Sequence, residues 1–271
     1  MPRAAVASDH TRFGARLAEW RAARRESQLS LACAAGVSQR HVSFIESGRA
    51  RPSREMVIRL CETLAIPLRA RNELLAAAGF APLYAERPLG AEALGEVREA
   101  LGRILAHHEP YPAFVLDRAW CVVMANAAGR RLVAALVDPA TLASASTEGR
   151  LNFMRLLFEP TQMRLRIRNW ARTAPVLLAR LRREAAADPT SPSAALLSEL
   201  APAGLLPRED GAVLAPTARL ELTLDEGVLR LFNTITTFGT PQDVTVQELR
   251  IEMSFPADAE SEALLRRLAG A

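Results

Sequence analysis

The chain has no lysine; all 34 of its basic residues are arginines. Aromatic residues make up only 5% of it, and it has three cysteines, Cys33, Cys61 and Cys121. Their wide spacing excludes a CxxC redox pair, a Cys/His metal site and a disulfide framework. Two of the three fall on apolar helix faces, where a thiol acts as a small buried hydrophobe. No apolar run approaches the ~20 residues needed to span a bilayer. The opening residues, MPRAAVASDHTR, lack the apolar core of an export signal. These absences predict a reducing, cytoplasmic setting, with no metal and no membrane partner. No internal repeat is present.

The charge that is present is unevenly placed. Residues 1–84 carry 13 arginines against seven acids, whereas residues 85–271 carry 21 arginines against 23 acids. The positive field is therefore concentrated in the first third, as a surface that neutralises phosphates requires. At 271 residues, nearly half of them apolar, the chain has room for two cored domains.

The densest pattern lies between Ser27 and Ser53, SQLSLACAAGVSQRHVSFIESGRARPS. Ser27 can cap a helix that buries Leu31, Ala32 and Ala35. Ala32 and Ala35 are small enough to let a second helix cross closely. Gly36 permits a sharp turn through left-handed backbone angles, and Val37 fills the gap between the helices. Ser38 caps the next helix, on which Val42 and Ile45 face inward, and Gly48 marks its end. Gln39, Arg40, Ser43 and Phe44 then lie on its outer face. In a helix–turn–helix, the first residues of the second helix reach base edges in the major groove. Arginine can donate twice to guanine, glutamine pairs with adenine, and an aromatic ring can press on a thymine methyl. Gln28, Arg49, Arg51 and Ser53 stand where phosphates would be gripped. Phe13, Leu17 and Trp20 stripe an earlier helix. Val57, Leu60, Cys61 and Leu64 stripe a later one after the cap Ser53, and Leu74, Leu75 and Ala78 mark a fifth.

Residues 11–80 resemble the XRE, or lambda-repressor-like, helix-turn-helix family through SQLSLA, GVSQRHVSFIESGRARPS and AAGFAP. The resemblance implies that the helix from Ser38 is the recognition helix. One departure is Ser30, where many relatives carry an acid that closes a capping box.

Residues 10–80 are thus expected to form a DNA-binding domain, residues 81–90 (APLYAERPLG) a stiff linker, and residues 91–271 a second domain. A helix is predicted over 91–107, with Leu94, Val97, Leu101 and Leu105 on one stripe. YPAFVLDRAWCVVM reads as two strands about an Asp117–Arg118 turn, followed by a helix capped by Asn126. Helices follow over 152–158, 162–187 (broken or kinked at Pro175) and 193–200. Leu220, Leu222 and Leu224 alternate with polar residues, and a second strand is predicted over 228–238. After a turn at Gly239–Thr240–Pro241, Leu249, Ile251, Met253 and Phe255 alternate on one face of a third strand. A last helix covers 259–268. The expected fold is α + (α+β): a five-helix domain, then a five-stranded antiparallel sheet with helices on one face.

The strand–turn–strand–Asn-helix opening and the late meander resemble a PAS-type sensor. Residues 105–271 are similar to the ligand-binding domain of the MmyB-like transcription regulators. The matching pieces are HHEPYPAFVLDRAWCVVMANAAG, NFMRLLFEP, NW at 169–170 and ITTFGTPQDVTVQELRIEMSFPAD. Residues 138–151 and 201–215 match poorly. The resemblance implies a one-component regulator whose second domain holds a small apolar effector, a fatty acid in at least some relatives. PAS domains can carry haem or flavin, but no Cys or His stands at a telling place, so no cofactor is expected. Candidate lining residues are Phe114, Met124, Met154, Phe158, Trp170, Phe232 and Phe238. Arg168, beside Arg164 and Arg166, could receive a carboxylate head. A homodimer is expected, because symmetric dimers read half-sites about one helical turn apart. The alternative is that the second domain serves only dimerisation or protein contacts. No catalytic residue is assigned: His107, His108, Glu109 and Asp117 form no nucleophile–base–orienter set.

Overall fold

The computed structural model describes residues 9–188, 191–200 and 219–270. The chain forms two compact units. The first ends at Pro88 and also takes in Thr240–Gln247, and the second holds the remainder.

The first unit contains α1 (Asp9–Ala23), α2 (Gln28–Ala34), α3 (Gln39–Glu46), α4 (Arg54–Thr63) and α5 (Leu68–Ala77). Three of these helices begin the same way. The hydroxyls of Ser27, Ser38 and Ser53 accept from the backbone N–H groups of Ser30, His41 and Met56, each satisfying a donor the helix leaves unpaired. Gly36 turns the chain between α2 and α3 at φ +66°. Phe13, Leu17, Leu31, Val42, Ile45 and Leu60 are fully buried in one cluster, each worth roughly 1.5–3 kcal/mol in removed apolar surface. Cys61 belongs to this core, and burial pushes its thiol up to about 12.

Residues 83–87, within the stiff linker expected over 81–90, are bound to α5. The Asn72 side chain accepts from the N–H groups of Leu83 and Tyr84 and donates to the Tyr84 carbonyl. Ala85 then pairs in parallel with Asp243.

In the second unit a 3₁₀ turn, Glu92–Leu94, leads into α6 (Gly95–His107). There follow β1 (Ala113–Leu116), β2 (Val122–Ala125), α7 (Ala127–Leu136), α8 (Pro139–Ser144) and a small hairpin of β3 (Ser146–Thr147) and β4 (Arg150–Leu151). Next come α9 (Phe153–Phe158), α10 (Met163–Arg166), α11 (Trp170–Ala187) and α12 (Pro192–Leu200). After these come β5 (Arg219–Leu224), β6 (Gly227–Thr236), α13 (Val244–Glu248, all but its last residue in the first unit), β7 (Arg250–Pro256) and α14 (Ala259–Ala269). Five strands form an antiparallel sheet in the order β2-β1-β7-β6-β5. The stretch 201–215 lies outside the described residues.

Three expectations are corrected. Helices cover both faces of the sheet rather than one. Phe114, Leu116, Leu229 and Leu231 pack with α7, α9, α11 and α14, while Ala113, Val115 and Ile251 pack with Leu101 and Leu105 of α6. All four residues of β1 are buried, the pattern of a strand covered on both sides. The break in the 162–187 helix falls at Ile167–Asn169 and not at Pro175, which lies inside α11. There the chain borrows the edge of β5: Ile167 pairs with Leu222, the Arg168 N–H donates to Glu221 O, and Asn169 bonds both Arg219 O and Glu221 N. Finally, the β6–β7 connection holds a short helix, α13, and β7 begins only at Arg250.

Candidate functional site

On α3, Val42 and Ile45 are buried, Gln39 and Arg40 are exposed, and Ser43 and Phe44 are half-exposed. The Arg40 guanidinium sits 5.1 Å from the Phe44 ring centroid, a geometry that restrains a long side chain by cation–π attraction. Arg49, Arg51 and Ser53 are exposed beyond its end, although the Ser53 hydroxyl is already engaged as the cap of α4. Gln28 is half-exposed, and its amide donates to Glu46 Oε2 at 2.7 Å.

Glu46, which the sequence reading did not single out, anchors the far end of α3. Arg21 of α1 reaches it with Nε at 2.7 Å and Nη2 at 3.0 Å. The hydrogen bond to Glu46, ahead of the cost of burial, raises the Arg21 pKa above its ordinary value. Three helices thus meet on one carboxylate and fix the pose of the outward face of α3. The only local signal would have been an acid closing a helix, which is too common to assign.

The expected effector residues do not line one cavity. Phe114, Met154, Phe158 and Trp170 share the layer between the sheet and α7, α9 and α11. Met124 and Phe238 lie on the α6 side, and Phe232 stacks at 5.2 Å on Phe255. Strand alternation is the reason. Phe114 pairs with Ala125, so Met124, one residue away, points to the other face. Phe232 pairs with Phe255, two residues along β7 from Met253 and on the same face. Phe158 and Trp170 meet edge-to-face at 4.9 Å. The guanidinium over Trp170 belongs to Arg164, at 5.6 Å. Arg166 pairs with Asp225, and Arg168 is exposed.

A polar cluster in the same domain also escaped the sequence reading. Trp120, 1% exposed, has the guanidinium groups of Arg180 and Arg250 at 4.3 Å and 4.2 Å from its ring centroid. Its indole N–H reaches Glu184 at 3.0 Å and Ser193 at 3.3 Å. Arg180 also pairs with the buried Glu252 at 3.1 Å. Burial raises the Glu252 pKa against the pull of Arg180 and Arg250. Burial also pushes Glu184 upward, but Arg250 and the donors Ser193 and Trp120 hold it below its ordinary value. Burial pulls Arg250 down.

Three of the four groups weighed for catalysis have structural roles. His108 Nε2 bonds the Ser254 carbonyl. Glu109 accepts from the first N–H groups of α7. Asp117 Oδ1 accepts from Ala119 and Cys121 and closes the β1–β2 turn. Among the described residues no group of three potential metal ligands comes together, and no helix is long and apolar enough to cross a membrane.

A bundle that presents α3 outward, joined to an α+β domain with an apolar interior, defines a helix-turn-helix transcription regulator with a ligand-binding domain. The comparisons place it within that class. Residues 97–268 match the family model of the MmyB-like transcription regulator ligand binding domain, and residues 12–74 match a helix-turn-helix domain. The chain belongs to the MmyB-like transcription regulators. No curated protein matches it. Among solved structures, the "Structure of an RNA-binding Light-Oxygen-Voltage Receptor" is similar at 14% identity with a TM-score of 0.28, over 98% of this chain and 64% of that chain. The chain therefore spans less than two thirds of that protein's length.

Proposed function

We propose that this regulator binds a DNA operator as a homodimer, with Gln39, Arg40, Ser43 and Phe44 at base edges and Gln28, Arg49, Arg51 and Ser53 at phosphates. A small apolar effector, a fatty acid or a molecule like one, occupies the second domain and changes operator affinity. DNA is the partner the helix-turn-helix implies, and a small molecule is the partner the ligand-binding domain implies. The observation that carries the reading is α3. Its caps and inward face are satisfied within the bundle, Glu46 fixes its end, and its outer side chains are left for a duplex. The positive charge of residues 1–84 supports the same assignment.

The effector reading is supported by the aromatic pair Phe158–Trp170, half-buried against the apolar layer, against which Leu177 and Leu197 also pack half-buried. An acyl chain there would gain roughly 0.8 kcal/mol per buried methylene. Arg164 and Arg168 supply cations for a carboxylate head. An effector acts only as far as it binds one conformation of the regulator better than another.

The test has two arms. Operators are selected from a random duplex pool and bound by anisotropy with and without dodecanoate, and the purified protein is extracted and its small molecules weighed. Operator affinity that shifts with dodecanoate supports the proposal. Protein that selects DNA but neither carries nor binds a small molecule would instead assign the second domain to dimerisation or protein contacts.

A further inference from the structure

The motif TPQDVTVQ, residues 240–247, has no part in the function so far. The chain leaves the sheet at the end of β6, enters the first unit for Thr240–Gln247, and returns to the second unit at Glu248, just before β7. β7 is the central strand of the sheet and β6 is its neighbour.

Inside the first unit the segment makes specific contacts. Gln247 Oε1 accepts from the Leu68 N–H at 2.6 Å. Leu68 opens α5, whose N-cap is Pro67 and has no side-chain acceptor, so a residue 179 positions away supplies the cap. Asp243, 4% exposed, accepts from Arg87 at 3.1 Å and from the Thr245 N–H at 2.9 Å. The Val244 N–H donates to Ala85 O at 2.8 Å, and Val244 and Val246 are buried. A buried carboxylate needs its partners, so the segment has one seat. The strip it pairs with is itself tied to α5, by Asn72 to Tyr84 and by Arg71 to the Tyr84 hydroxyl at 3.1 Å. α5 packs on α1, which carries the Arg21 that fixes Glu46 at the end of α3.

We propose that Thr240–Gln247 is the element through which effector occupancy of the second unit reaches the DNA-binding unit, with Asp243 and Gln247 as its two catches. The inference rests on the functional reading above. A shift at the ends of β6 and β7 is carried by the chain itself onto the segment. Release of Gln247 leaves the Leu68 N–H without its acceptor and loosens the first turn of α5. Contiguous contacts alone do not establish coupling; reciprocity does, because a signal that passes from effector to DNA must also pass from DNA to the effector domain.

The experiment uses the full chain and a duplex that the wild-type protein selects from a random pool. Amide exchange is read by mass spectrometry with and without that duplex. Gln247→Ala should speed exchange at the start of α5 about threefold to tenfold in the free protein. In the wild type, duplex binding should change exchange in Gly227–Thr236 and Arg250–Pro256 by about fivefold or more. In Gln247→Ala, and independently in Arg87→Ala, that response should fall below about twofold while the duplex stays bound. A wild-type sheet indifferent to the duplex would overturn the proposal, as would variants that keep the full response. Failure of the wild type to hold any duplex would show directly as absent anisotropy, and would remove the functional reading rather than the coupling alone.

Discussion

A β-carbon on Gly14 would lie 2.4 Å from the carbonyl oxygen of Glu46. α1 therefore crosses the end of α3 at backbone-to-backbone distance, and only glycine fits. The crossing also brings Arg21, two turns further along α1, onto the Glu46 carboxylate. Gly14→Ala meets rigid backbone and not a movable side chain, so it should cost about 3 kcal/mol and tilt α3. Thermal unfolding and duplex anisotropy should fall together. A stable variant with wild-type affinity would mean that the crossing is looser than the structure has it.

Arg40 and Arg51 should fail in different ways. Arg40→Ala should cost about 1–3 kcal/mol and relax specificity at one base position, read by competition with single-position operator variants. Arg51→Ala should weaken all duplexes alike and flatten the salt slope by about one unit. If Arg40→Ala leaves the base preference unchanged, the orientation of α3 on DNA is wrong.

Asn126 should be the most costly polar residue to remove from the second unit. Its side-chain oxygen accepts from Ala113 and Gly129, and its amide donates to the carbonyls of Tyr111 and Leu105. One 5%-exposed side chain thus joins α6, β1 and α7. Asn126→Ala should destabilise by about 3 kcal/mol, since each buried group left unpaired costs about 1–3. Denaturant unfolding measures this, and a loss under about 1 kcal/mol would contradict the network.

Glu252 gives a pH dependence of definite sign. Burial places its folded pKa above the ordinary 4.5, with Arg180 and Arg250 opposing and Glu184 reinforcing. The folded state therefore holds this proton more tightly than the unfolded chain. Its contribution to stability is full below pH 4.5 and is lost as pH rises through the folded pKa. Glu252→Gln removes that titration, and Arg180 keeps Glu184 as partner at 3.4 Å. The midpoint of thermal unfolding should then decline less steeply above pH 4.5 than in the wild type. An unchanged slope would place the titration elsewhere.

Much of this was legible in the residues. Ser27, Ser38, Ser53 and Asn126 each cap a helix by bonding an N–H three positions on. Ile251 and Met253 share a face because strand side chains alternate. Proline is the local signal for a break or kink in the 162–187 helix, whereas the chain breaks where it can pair with β5.

The amino-acid order by itself determined the five-helix bundle, the exposed residues of α3, the five strands of the main sheet and the family of the chain, since helix caps, turns and periodicity act over a few residues, whereas the β3–β4 hairpin left no such signal. The tertiary structure alone decided that Glu46 joins three helices, that Arg180 and Arg250 both meet the Trp120 ring, that Met124 and Phe114 face apart across the sheet, and that Gln247 caps α5. Each of these pairs residues far apart in the chain or depends on strand register. Such contacts leave no periodic trace, because their energy comes from burial and hydrogen bonding that exist only once the chain has closed on itself.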